Sequence, residues 1–74
     1  MEKEIKKIND DMSANIKWQR SKAKMTQTDV AKELGIAFVT YNKWENNPTE
    51  IMFSNLLKIA EVLNCDYHLF FSKE

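Results

Sequence analysis

The chain is 74 residues long, carries one cysteine, and balances 11 basic against 11 acidic side chains for a formal net charge of zero. That length supports one small domain with a modest core, and a lone cysteine excludes an internal disulfide framework, which points to a reducing cytoplasm. No apolar run approaches the roughly 20 residues needed to cross a bilayer, and the N-terminus alternates charge with isoleucine instead of building a signal-peptide core, so no membrane is expected as a partner.

Residues 1–11 form a charged segment in which Ile5 and Ile8 continue a stripe to Met12 and Ile16, the spacing of a helix extended backward or of an arm. A partly ordered extension is expected here, ahead of a domain over residues 12–74. The first helix proper is expected from Asp11 or Ser13 to Lys22 with Ile16 inward, followed by a turn at Lys22-Ala23-Lys24. Thr26 then suits an N-cap, with Asp29 three residues on to return the bond. Val30, Ala31 and Leu34 recur at helical spacing, and Gly35 ends that helix where a left-handed residue is needed. Ile36 restarts the apolar pattern, and Tyr41 with Trp44 gives a third helix its buried face. Two short helices around one glycine turn are the helix-turn-helix unit, whose second helix usually enters the DNA major groove. Asn46-Asn47-Pro48-Thr49 is the clearest turn chemistry in the chain. A fourth helix is expected from Ile51 or Met52, burying Phe53, Leu56, Leu57, Ala60 and Leu63, with Asn64 as a left-handed cap. A short fifth helix from Asp66 tucks in Leu69 and Phe70, which makes the fold class all-α.

The residues Ile16, Arg20, Met25-Thr26-Gln27, Val30-Ala31, Leu34-Gly35-Ile36, Trp44-Glu45, Leu56-Leu57, Ile59-Ala60 and Leu63-Asn64-Cys65-Asp66 resemble the helix-turn-helix domain of the Cro and phage-repressor type, over about residues 12–70. The resemblance implies a compact five-helix DNA-binding domain. It implies a partly buried structural ion pair between Arg20 and Glu45, tying the first helix to the end of the third. It places Thr26 and Gln27 at the start of the second helix, with Gln27 touching a phosphate and bracing the third. Where the family commonly has a glycine of positive φ, this chain has Asn47. The partner implied is double-stranded DNA, and the assembly a homodimer through the last helix and the turn before it, here Cys65, Asp66, Tyr67, His68, Leu69, Phe70 and Phe71.

By spacing from Gln27, the outward positions of the third helix are Ala37, Phe38, Thr40, Asn42 and Lys43, with Val39 beside them. Phe38 and Val39 carry no hydrogen-bonding group, so readout through thymine methyls and DNA shape is the fitting mode, with Lys43 reaching a guanine or a phosphate. Two other readings of Phe38 and Val39 stay open: an exposed patch for a protein partner, or core, which helix geometry allows for Val39 more readily than for Phe38. Asn46, Asn47 and Thr49 offer uncharged groups to the DNA backbone in a loop where relatives frequently place lysine or arginine. Zero net charge requires any basic footprint to be local, with Lys17, Lys22, Lys24 and Lys43 on one side and Glu50, Glu61 and Glu74 elsewhere. Cys65 and His68 lack a second pair of ligands for zinc, no nucleophile has a base beside it, and no glycine loop cradles phosphate, so neither enzyme activity, metal nor cofactor is expected. The expectation is a promoter-occupying regulator, phage-derived or from a mobile element; the alternative is an antitoxin-like or partner-binding interaction module on the same scaffold.

Overall fold

A first helix, α1, runs unbroken over Glu2–Lys22 in the computed structural model, which describes residues 2–72. Residues 1, 73 and 74, and with them the expected place of Glu74, lie outside it. Glu2 and Glu4 at the start of α1 and Arg20 and Lys22 at its end suit the helix dipole. The pairs Lys6–Asp10 at 2.9 Å and Lys7–Asp11 at 3.1 Å brace its exposed face. No break occurs at residues 11 and 12, but the apolar stripe changes role there: Ile5 and Ile8 are exposed, whereas Met12 and Ile16 are buried.

Three further α-helices follow: α2 over Gln27–Leu34, α3 over Phe38–Asn46 and α4 over Phe53–Leu63. Thr26 caps α2 with a reciprocal capping box, its Oγ1 accepting from Asp29 N at 3.0 Å while its own N–H donates to Asp29 Oδ2 at 2.9 Å. Gly35 closes α2 at φ 70°, and Ile36 N reaches back to Ala31 O at 3.0 Å, completing a left-handed helix stop. Asn64 does the same for α4 at φ 53°, with Cys65 N on Ala60 O at 3.0 Å. The core gathers Met12 and Ile16 from α1, Val30 and Ala31 from α2, Tyr41 from α3, and Leu56, Ile59, Ala60 and Leu63 from α4, closed by Phe70. Trp44 and Cys65 are half-buried at the rim of this cluster instead of inside it, and Trp18 is exposed.

Several expectations need correction. A fifth α-helix does not form: Tyr67–Phe70 is a short 3-10 helix. Its Phe70 ring is fully buried, and its Phe70 carbonyl accepts from Asn15 Nδ2 at 3.1 Å, so that acceptor is withdrawn from helix propagation. Asn47 is not left-handed but has φ −133°, because Pro48 restricts the residue before it to extended backbone. The third left-handed residue is Lys24, at φ 57°, where Met25 N bonds to Arg20 O at 3.2 Å and stops α1. Phe53 and Leu57 are exposed, since Leu56, Ile59, Ala60 and Leu63 already supply the i, i+3, i+4, i+7 face of α4.

The three stops differ in how well the residue suits its backbone. A Cβ at Gly35 would meet nothing within 4 Å, so Gly35→Ala should cost only the left-handed penalty, about 1 kcal/mol. Lys24→Gly relieves that same penalty and should raise stability by roughly 0.5–1 kcal/mol in urea unfolding. A neutral Gly35→Ala would show that the turn does not need positive φ.

Candidate nucleic-acid interface

Helix α3 is built with two opposite faces. Tyr41 and Glu45, four residues apart, lie on one side and are fully buried. Val39 is two residues, about 200° of helical rotation, from Tyr41 and therefore points away from the core. It is 65% exposed, more than Phe38 at 47%, which reverses the expectation that Val39 turns inward more readily. Both are surface residues. Ala37 and Lys43 share this exposed side, and Thr40 and Asn42 are half-buried at its margin. Ala37 stands at the N-cap without a side-chain bond of its own.

The inward side of α3 is anchored by one carboxylate. Glu45 accepts from Arg20 Nε at 2.8 Å and from a second Arg20 nitrogen at 3.1 Å, a forked pair across helices. Gln27 Nε2 adds a bond at 2.9 Å and the Tyr41 hydroxyl another at 2.7 Å. The remaining arm of Arg20 donates to Met25 O at 3.0 Å, so the guanidinium also holds the α1–α2 turn. Burial alone would push the Glu45 carboxyl up, but the donors from Arg20, Tyr41 and Gln27 outweigh it and hold it below the usual range. The bond to Glu45 raises Arg20 further, and burial is the first cause that raises Tyr41. Among the described residues, no buried side-chain polar atom lacks a partner.

Side chains expected to meet DNA are largely engaged within the protein. Gln27 donates to Glu45 and accepts from Asn42 Nδ2 at 3.1 Å, bridging the start of α2 to the middle of α3. Thr26 serves the cap of α2. Asn46 Nδ2 bonds to Asn42 O at 2.8 Å and Asn47 Nδ2 to Lys43 O at 3.1 Å, both tying off the end of their own helix. Thr49 gives its N–H and its hydroxyl to Asn9 Oδ1, at 3.2 and 2.9 Å. Glu50 does not stand apart from Lys43. The 3-10 turn Pro48–Glu50 folds back so that both line a shallow hollow with Trp44, Asn47 and Ile51.

Two residues of this region were not legible beforehand. The Tyr41 hydroxyl had a local signal, its i, i+4 spacing to Glu45. Asn9 had none, because its partners Asn46 and Thr49 are 37 and 40 residues away. Among the described residues, no three His, Cys, Asp or Glu side chains are grouped to hold a metal ion, and no helix is long and apolar enough to cross a membrane.

The helix-turn-helix family model matches residues 16–70. The chain is 35% identical over 60 residues to the Repressor protein C2 of Salmonella phage P22, an alignment covering 78% of this chain and 28% of that protein. It is 36% identical over 50 residues to the HTH-type transcriptional regulator DicA of Escherichia coli, covering 68% of this chain and 37% of that protein. The chain thus spans well under half the length of these curated relatives. No solved structure matches.

The clamp around Glu45 makes two testable demands. Arg20→Ala strands a buried carboxylate and should cost about 3–5 kcal/mol, more than the Arg20→Met/Glu45→Leu pair, which removes both charges. Adding Tyr41→Phe to that pair should recover stability, since the hydroxyl would otherwise be orphaned. Because the folded Glu45 carboxyl lies below its ordinary value of 4.5, the unfolded chain binds the proton first. The clamp's contribution is present above that value and is lost as pH falls through the folded one. An acid unfolding limb unchanged in the apolar triple variant would contradict this.

Proposed function

The chain belongs to the helix-turn-helix family, and from that premise we propose that it is a sequence-specific DNA-binding transcriptional regulator of the phage or mobile-element repressor kind. It occupies a promoter operator as a homodimer. The observation that carries this reading is the two-sided α3: its inner face is locked to α1 and α2 through Glu45, and its outer face presents Ala37, Phe38, Val39 and Lys43 to solvent. A reading helix must be rigidly aimed and uncovered, and α3 is both. The relatives bear the names repressor and transcriptional regulator, which agrees with this assignment.

Phe38 and Val39 read thymine methyl groups, Thr40 contributes at the margin, and Lys43 supplies the charged contact. Gln27, Asn42, Asn46 and Asn47 act mainly by holding the reading surface, with their remaining lone pairs and protons turned to the DNA backbone. Few cations then neutralise phosphates, so affinity should fall gently with salt, with a log–log slope no steeper than about −3 per protomer. The homodimer reading draws on an exposed aromatic cluster, in which the Phe53 ring lies 5.5 Å from Tyr67 and 6.5 Å from Phe71. The competing reading, a protein-interaction module, uses the same exposed Phe38 and Val39.

Selection from a random duplex library at several salt concentrations separates these readings. The regulator reading expects a palindrome with half-sites about one helical turn apart, roughly 34–36 Å. Phe38→Ala should then relax preference at thymine positions with the fold intact by circular dichroism. Failure to enrich any sequence sinks operator binding by this chain and leaves the protein-contact reading. Tyr67→Ser with Phe71→Ser should weaken self-association in sedimentation; an unaltered dimer would place the two-fold contact elsewhere.

A further inference from the structure

Two backbone groups next to one another, the last carbonyl of α3 and the first amide of the following turn, have their partner in one distant residue. The carbonyl of Asn46 belongs to the last residue of α3, and the amide four residues on, Glu50 N, bonds to Asn47 O instead. At the turn Pro48–Glu50, Pro48 has no N–H, Thr49 carries the first amide, and the N-cap residue Asn47 makes no side-chain cap. Asn9, in the third turn of α1, reaches both ends. Its Nδ2 donates to Asn46 O at 2.9 Å, and its Oδ1 accepts from Thr49 N at 3.2 Å and from Thr49 Oγ1 at 2.9 Å. The orientation of the carboxamide follows from its partners, since a carbonyl only accepts and an amide N–H only donates.

We propose that Asn9 is a positioning residue for DNA binding: it pins the exit of the reading helix and the loop behind it to the N-terminal turns of α1. This rests on the DNA-binding reading above and deepens it by adding residues 2–11 to the machinery. Only a side chain with a donor and an acceptor on one short fork satisfies both ends at once. Aspartate keeps the acceptor and loses the donor, and alanine loses both. Asn9 lies outside residues 16–70, the stretch that matches the family, so the device is an addition by the segment preceding that match. It also explains how a loop without a lysine or arginine clamp holds one conformation. The Asn46 carbonyl and the Thr49 amide and hydroxyl are bonded to α1 before any DNA arrives, so less loop ordering is left to be done on binding.

The test compares Asn9→Ala and Asn9→Asp with Glu61→Gly, which loosens the exposed side of α4, an element that Asn9 does not bond to. Thermal unfolding ranks all three, and titration with the duplex selected for the wild-type chain, at a temperature where each is folded, reads the affinity. Asn9→Ala should weaken binding about tenfold, the scale of losing one or two net hydrogen bonds. Asn9→Asp should fall between it and the wild type, and Glu61→Gly should bind like the wild type despite a lower Tm. Amide hydrogen exchange should quicken at Thr49 and Glu50 in Asn9→Ala while α2 and α4 stay protected. Equal affinity for Asn9→Ala and the wild type, or a loss that merely tracks Tm across all three variants, overturns the proposal alone. A wild-type chain that binds no duplex overturns the DNA-binding reading and this proposal with it.

Discussion

The buried carboxylate of Glu45 is the constraint from which the rest of the arrangement follows. A carboxylate withdrawn from water is tolerable only if its oxygens are met by donors, and a missing donor there costs several kcal/mol. The donors come from three helices: Arg20 on α1, Gln27 on α2 and Tyr41 on α3 itself. Each must approach within hydrogen-bond distance, so the relative tilt of the three helices is restricted as no purely apolar contact would restrict it. The hydrophobic core supplies most of the favourable energy. The carboxylate selects, among the packings that core would accept, one in which the outer face of α3 is aimed in a single direction.

Backbone chemistry makes that convergence possible in a short chain. The connections from α1 to α2 and from α2 to α3 are compact because Lys24 and Gly35 turn the backbone left-handed at the end of each helix. After α3 the mechanism changes. Pro48 bars a left-handed Asn47, and the chain passes into a 3-10 turn whose Thr49 amide and hydroxyl are bonded from α1 by Asn9. Glycine, lysine and asparagine thus terminate helices here with different strain, and the least suited of them, Lys24, lies at the turn that Arg20 also grips through Met25 O.

Among the exposed apolar side chains, which also include Ile5, Ile8, Trp18 and Met52, two groups bear on the proposed function. Phe38 and Val39 lie on α3, while Phe53, Tyr67 and Phe71 gather at the start of α4 and the last turn. In the function proposed above, the first group would make the shape and methyl contacts and the second the contact with another copy of the chain. Zero net charge fits the same picture, with complementarity resting on fixed geometry more than on a strong electrostatic field.

The sequence by itself determined what depends on neighbours within about four residues. The Thr26–Asp29 capping box, the left-handed Gly35 and Asn64, and the helical stripes through Ile16, Val30, Ala31, Leu56 and Leu63 all express such local periodicities and caps. Only the tertiary structure decided what depends on which elements meet. Arg20 and Glu45 are 25 residues apart and came to notice through family resemblance, since no spacing rule connects them. The same holds for Asn9 with Asn46 and Thr49, and for Asn15 with the Phe70 carbonyl. Phe53 and Leu57 fit the apolar pattern of α4 yet face outward, because periodicity identifies a stripe and the neighbouring helices decide how much of it they cover. The polar groups expected to be offered to DNA were committed inside the protein for the same reason: a side chain's donors go to the nearest unsatisfied acceptor, and that acceptor is set by the fold.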